Sequence, residues 1–102
     1  MNNLNYTIHK ANKVQREYVL ERVTIKNESE RENAIIFVAT NQDNDVIGRI
    51  VLLEQVLPLI NGGKIWYISN VFVHQGYRRN GIATQLLNYT FTEANKLGIW
   101  SL

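Results

Sequence analysis

The sequence has no cysteine among its 102 residues, which removes disulfide frameworks, thiolate metal sites and cysteine nucleophiles. Histidine is nearly as scarce, with only His9 and His74, and their spacing suggests no metal site. No apolar run approaches the roughly 20 residues needed to span a bilayer. The opening Met1-Asn2-Asn3-Leu4-Asn5 has neither a basic region nor an apolar stretch, so no secretory leader is read and a cytoplasmic location is expected. Charge of one sign is also lacking: 11 basic and 9 acidic residues leave a net +2 and a pI near 9.0. Nucleic-acid binders cluster Lys and Arg on one face, whereas here the basic residues are scattered except for Arg78-Arg79. Neither a nucleic acid nor a membrane is an expected partner, and an anionic small ligand held at one site fits the balance better.

What remains is an ordinary globular composition, 45% apolar and 20% charged, sized for one domain over residues 1–102. Tyr6–Lys10 alternates as a short first strand. Asn12 is placed to cap a helix from about Lys13 to Ile25, with Val14, Tyr18, Val19 and Val23 as its apolar stripe. Residues 26–33 are polar and charged and read as a surface connection or a frayed helix end. The β-branched run Ala34–Thr40 is a strand. It joins a second, Val46–Glu54, through the turn residues Asn41–Asp45, making an antiparallel hairpin. Gly48 inside that second strand implies a bulge or a close approach of another backbone. The stretch Leu57–Lys64, with the single proline and two adjacent glycines, is a loop. Ile65–Val73 is nearly continuous apolar sequence, as expected of a central strand covered on both faces. A helix from about Gly81 to Leu97 follows, with Ile82, Leu86, Leu87, Phe91, Ala94 and Leu97 as its core stripe and Gly98 at its C′ position.

The stretch richest in chemistry is Val71-Phe72-Val73-His74-Gln75-Gly76-Tyr77-Arg78-Arg79-Asn80-Gly81-Ile82-Ala83-Thr84. An apolar strand enters a basic, glycine-containing turn that opens directly into a helix. A helix start carries unpaired N–H groups and the positive end of the macrodipole. Two arginines beside it, with Gly81 letting the backbone approach, suit a phosphate or pyrophosphate. Gly76 and Gly81 superficially resemble a P-loop, but Ile82-Ala83 stand where that motif needs Lys-Ser/Thr, so a nucleotide triphosphatase is rejected. Ser69 and Asn70 interrupt the apolar strand; either neighbouring backbone satisfies them or they act near a bound acyl group. Glu54 closes a strand, as a water-mediated general base or as a rim carboxylate. His74 reads as a solvated loop residue, and Trp66 and Tyr67 as core or, for one of them, as lining of an acceptor pocket.

The in-register Arg78, Gly81 and Ala83, after Tyr67-Ile68-Ser69-Asn70-Val71-Phe72-Val73 and before an amphipathic helix, resemble the signature of the GNAT superfamily of acetyl-CoA-dependent N-acetyltransferases. Asp45-Val46-Ile47-Gly48-Arg49-Ile50 looks like the family's third strand. The resemblance implies an α/β (α+β) fold: a GNAT-like mixed sheet, antiparallel through its N-terminal strands, with helices packed on it. It implies that Arg78, Arg79, Asn80, Gly81, Ile82, Ala83 and Thr84 hold the coenzyme pyrophosphate, and that Val71, Phe72 and Val73 pair with the pantetheine arm. An amine acceptor would attack the thioester directly in a ternary complex. Glu54 and Asn70 are the candidate catalytic residues.

Family members usually continue with a fifth strand, a helix and a closing pair of strands. Here a fifth strand would be only Ile99–Leu102, so a C-terminally truncated domain is expected. An uncovered fourth-strand edge then calls for a homodimer or a completing partner. Two alternatives stand beside an active transferase: a non-catalytic acyl-CoA-binding module, and an inactive fragment of a longer acetyltransferase.

Overall fold

The computed structural model describes residues 5–57 and 63–98. Its elements run β1 (Tyr6–Lys10), α1 (Lys13–Leu20), α2 (Glu28–Asn33), β2 (Ile35–Asn41), β3 (Val46–Leu57), β4 (Gly63–Val73), a 3₁₀ turn (Gln75–Tyr77) and α3 (Ile82–Lys96). The four strands form one sheet in the order β1-β2-β3-β4, every neighbouring pair antiparallel. The expected fifth strand at 99–102 and most of the loop at 57–64 lie outside the described residues.

β2 explains the architecture. Its apolar residues alternate between two layers: Phe37 and Ala39 join Ile47, Ile50, Leu52 and Val73 beneath Ile82 and Leu86 of α3. Ile36 and Val38 join Val51 and Leu53 beneath Val19 of α1. A strand buried on both faces has no solvent side to carry polar residues, hence the unbroken run. β4 is also shared, with Trp66 and Ile68 packing toward α3 and Tyr67 toward α1. Its composition implied a central strand; among the described residues, which exclude the expected fifth strand, nothing pairs with its outer edge, and Val71 is 39% exposed.

The helices depart from expectation in instructive ways. Asn12 caps α1 through a reciprocal box, accepting from Gln15 N at 2.8 Å while Gln15 Oε1 accepts from Asn12 N at 2.9 Å. The helix stops at Leu20 rather than Ile25, because the β-branched run Val23-Thr24-Ile25 is a poor helix former and Val23 and Ile25 pack into the α1-side core from non-helical backbone. Val14 is exposed rather than part of the stripe. The segment read as a surface connection or a frayed helix end forms α2. Asn27 accepts from Glu30 N, Glu28 and Glu30 occupy the first turn, and Arg16 donates to the carbonyls of Arg31, Glu32 and Ala34 at the far end.

On α3 the buried residues are Ile82, Leu86, Thr90 and Ala94, successive i+4 positions. Phe91, expected in the core, is 49% exposed, and Leu97 62%. Thr90 takes the inward position by donating its hydroxyl to Leu86 O at 2.8 Å, which satisfies the polar atom inside the layer. Gly98, at φ +73°, ends the helix as expected.

Candidate functional site

Two bulges and one glycine set the site. The β2–β3 register shifts between Ala39 and Thr40, opposite Gly48 and Val46. A Cβ at Gly48 would meet Leu86 Cδ1 at 3.2 Å, Ile82 Cγ2 at 3.3 Å and Phe72 O at 3.4 Å. Gly48 lies beside a bulge, one of its two expected roles; the close approach it permits is of α3 side chains rather than of another backbone. The β3–β4 register shifts again between Val51 and Leu52, whose partners are Asn70 and Ile68. Ser69 is the extra residue, and it is exposed rather than buried.

Beyond Val73 the chain turns tightly. His74 N donates to Ile47 O at 2.8 Å, so by antiparallel alternation the peptide groups of Val73 and Val71 face the outer edge of β4. Val73 O already accepts from Arg78 Nε at 2.8 Å, which ties the first arginine of the turn to the strand. Arg79 adopts φ +66° and Gly81 φ +75°. An arginine in the left-handed region costs about 1–3 kcal/mol, strain that marks functional turns. Asn80 Nδ2 holds the carbonyls of Tyr77 and Arg78 at 3.0 and 3.1 Å.

Gly81 is the N-cap of α3 and offers no side-chain cap, and the first turn contains no acidic residue. The first intrahelical bond is Gln85 N to Gly81 O, and no backbone N–H from Arg79 to Thr84 is bonded within the described residues. A helix that forgoes both its cap and its acids leaves its positive end available to an anion.

This start of α3 opens into a cavity of about 520 Å³. Val71, Phe72, Val73, Arg78, Arg79, Gly81, Ile82, Ala83 and Thr84 line it, together with Tyr77. Of the residues expected at a coenzyme site, only Asn80 is not on its wall; it braces the turn instead. Sequence reasoning missed Tyr77, whose hydroxyl accepts from Asn41 Nδ2 at 3.1 Å. Tyr77 also borders a second cavity of about 470 Å³, between α1 and the β2–β3 turn.

The two catalytic candidates part company. Asn70 is half-buried on β4, next to the cavity-lining Val71, and its Oδ1 accepts from Arg49 Nε at 2.9 Å. A side chain across the sheet satisfies it, not neighbouring backbone. Glu54 lies opposite Trp66, roughly 20 Å along β3 from Gly48 at about 3.3–3.4 Å per residue. It borders a separate concavity with Asn27, Ser29, Glu30 and Asn33 of the α2 region. The structure does not bring Glu54 to the turn.

Arg49 is the second residue missed, although a lone charge in an apolar strand was a visible signal. Its guanidinium carbon stands 4.5 Å from the centre of the Phe72 ring, and that of Arg78 stands 5.4 Å from the same ring. Burial lowers the Arg49 pKa from its ordinary value; Arg22 nearby adds to the lowering and Tyr18 acts against it.

Among solved structures the chain is similar to glucosamine-6-phosphate N-acetyltransferase from Arabidopsis thaliana, with 14% identity and a TM-score of 0.68 over 95% of this chain and 79% of that one. It is similar to an aminoglycoside acetyltransferase from an uncultured soil metagenomic sample, with 16% identity and a TM-score of 0.69 over 94% and 74%. An acetyltransferase from Vibrio fischeri matches at 19% identity and a TM-score of 0.68, over 92% of this chain and 90% of that one. A chain of nearly this length therefore carries the same fold there. No curated protein sequence matches. The sequence model of the acetyltransferase (GNAT) family matches residues 4–102; with the strand, turn and helix of that family's signature in place, this chain belongs to the GNAT acetyltransferases.

Proposed function

We propose that the chain binds acetyl-CoA along the outer edge of β4 and at the start of α3, and transfers the acetyl group to a primary amine by direct attack in a ternary complex. The family's acyl donor is generally acetyl-CoA, and the cavity matches its chemistry part by part. The pyrophosphate would sit on the N–H groups of Arg79–Thr84 with the dipole of α3 behind it. The pantetheine amides would pair with the outward peptide groups of Val71 and with Val73 N–H, as an added strand does. This fixes the thioester beside Asn70, where a bound amine gains chiefly from proximity and orientation. Two of the similar structures are named for amine acceptors, glucosamine 6-phosphate and an aminoglycoside, which supports an amine here. The single observation that carries the reading is the uncapped, acid-free start of α3 opening into the cavity.

Thr84 supplies the test. It is exposed in the first turn of α3, where a carboxylate stabilises a helix by about 0.3–1 kcal/mol. Thr84→Glu is therefore expected to keep or raise stability while abolishing calorimetric binding of acetyl-CoA. Unchanged binding by the variant would sink the assignment. A second reading, an acyl-CoA-binding module without turnover, draws on the absence of any carboxylate or histidine from the described lining of the cavity. Binding by the wild type with no release of free coenzyme across an amine panel would establish it. Among the described residues nothing pairs with the outer edge of β4, and its stretch before Val71, which the proposed coenzyme does not occupy, also favours a homodimer; a monomer mass in light scattering would remove that part of the proposal.

A further inference from the structure

The face of the sheet toward α1, opposite the one on which α3 sits, holds a cationic cluster centred on Arg49, which is not on the wall of the coenzyme cavity. Arg49 and Asn70 share that face with Phe72, joined by the 2.9 Å bond from Nε and the stacking of the guanidinium on the ring. Arg22 stands 3.6 Å over the ring of Tyr18, and both lie close enough to act on Arg49. His74 meets the edge of Phe72 at 5.9 Å between ring centres. Among the described residues the only carboxylate paired with this group is Glu21, 3.7 Å from Arg22 at the exposed rim.

Arg49 is half-buried, yet among the described residues no acid pairs with it and its two terminal nitrogens make no hydrogen bond. A partly desolvated guanidinium next to a second arginine, with no counter-ion, is unfavourable unless an anion completes it. Asn70 and Phe72 fix the plane of the group, leaving its terminal fork preset for an oxyanion. Because β4 carries the proposed thioester on its outer edge and α3 on its other face, an amine reaching the carbonyl from this face passes Arg49.

We infer that Arg49, oriented by Asn70 and Phe72, is a specificity determinant that binds an anionic group, a carboxylate or a phosphate, on the amine acceptor. The inference rests on the acetyl-transfer reading for its acceptor role, but the oxyanion site itself is tested without coenzyme. Polycationic amines are disfavoured by the same charges, whereas an amine bearing an oxyanion a few bonds from its nitrogen is held with that nitrogen toward β4.

The first arm titrates inorganic phosphate and, separately, acetate into the protein and follows the Arg49 Nε–H and Asn70 side-chain resonances by NMR. Saturable shifts, absent from Arg49→Gln, are expected, and the better anion identifies the source. The second arm measures coenzyme release with glucosamine 6-phosphate against glucosamine, β-alanine against its amide, and sisomicin as the polycation. The anionic member of at least one pair is expected to have a kcat/KM roughly tenfold to hundredfold higher, the scale of one hydrogen bond to a charged group. Arg49→Gln should erase that preference through KM while acetyl-CoA affinity stays within about twofold, which also shows that the variant is folded. Turnover with no anionic preference, or a preference that survives Arg49→Gln, overturns the acceptor role. No resonance shift with either anion overturns the site. Anion binding at Arg49 in a chain that neither binds acetyl-CoA nor turns over any amine would instead remove the acetyl-transfer reading.

Discussion

Replacing Gly48 by alanine tests whether the fold and the coenzyme site share one contact. The added methyl would stand 3.2 Å from Leu86 Cδ1 and 3.3 Å from Ile82 Cγ2, against about 3.5–4.0 Å for relaxed carbon contacts, with Phe72 O at an ordinary contact distance of 3.4 Å. Neither side chain has room to retreat, since Ile82 is 1% and Leu86 0% exposed, and the third neighbour is backbone of β4. Overpacking of this kind costs about 1–3 kcal/mol. The loss of unfolded-chain freedom on going from glycine to alanine returns about 0.4–1 kcal/mol. The net expectation is a loss of about 1–2 kcal/mol, which lowers Tm by roughly 5–15 °C in a domain of this size.

Ile82 is also the first residue of α3 and part of the cavity wall, so relief of the clash moves the proposed phosphate-binding N–H groups. Urea unfolding followed by circular dichroism reads the stability. Acetyl-CoA titration at a temperature where the variant is fully folded reads the site, with an affinity loss of about tenfold expected. Gly76→Ala is the control, because a Cβ there meets nothing within 4 Å, and its effect should stay within about 0.5 kcal/mol. Gly48→Ala with an unchanged midpoint and unchanged affinity would refute the close-approach argument.

Two further substitutions probe the helices. Phe91→Gln should cost less than about 1 kcal/mol in chemical denaturation, because the ring is half-exposed; Leu86→Ala in the same helix should cost about 2–5 kcal/mol. A comparable penalty at both positions would contradict the inward face assigned to α3. Asn12→Ala removes the reciprocal cap of α1 and is expected to cost about 1 kcal/mol, with Asn12→Asp recovering most of it; equal stability of all three chains would show that the cap contributes nothing.

The parts legible in the sequence are those whose cause is local. β1, the hairpin of β2 and β3, and α3 each follow from periodicity and turn residues within a single window. The strand, turn and helix of the cavity are contiguous from Val71 to Thr84, so one stretch of sequence contains nearly all the groups that line it. α2 also has a local signal, Asn27 three residues before Glu30, which the surrounding charges obscure, so that the segment reads equally as a surface connection or a frayed helix end. Phe91 shows the limit of composition: a phenylalanine on an amphipathic helix was assigned inward, but the i+4 spacing from Ile82 through Leu86 selects Thr90, whose hydroxyl the helix itself satisfies.

What no local window contains is the Ser69 bulge. An extra residue in β4 changes which side chains share a face, since register in a sheet has a period of two. It is the bulge that puts Ile68 beside Trp66 in the α3-side layer while Asn70 and Phe72 remain with Arg49 on the other. Without it, either Ile68 and Trp66 would turn away from α3, or Asn70 and Phe72 would turn away from Arg49. The polar pair Ser69-Asn70 was the visible trace of this switch, but its meaning depended on a partner 21 residues away, in β3. The same irregularity thus keeps the core apolar and places Asn70 and Phe72 against the Arg49 guanidinium, on the face assigned to the proposed acceptor. Core and specificity are coupled here: taking Ser69 into regular pairing would turn either Ile68 and Trp66 or Asn70 and Phe72 to the wrong face, whereas deleting Ser69 joins Ile68 to Asn70 in regular alternation and is expected to keep both sets in place.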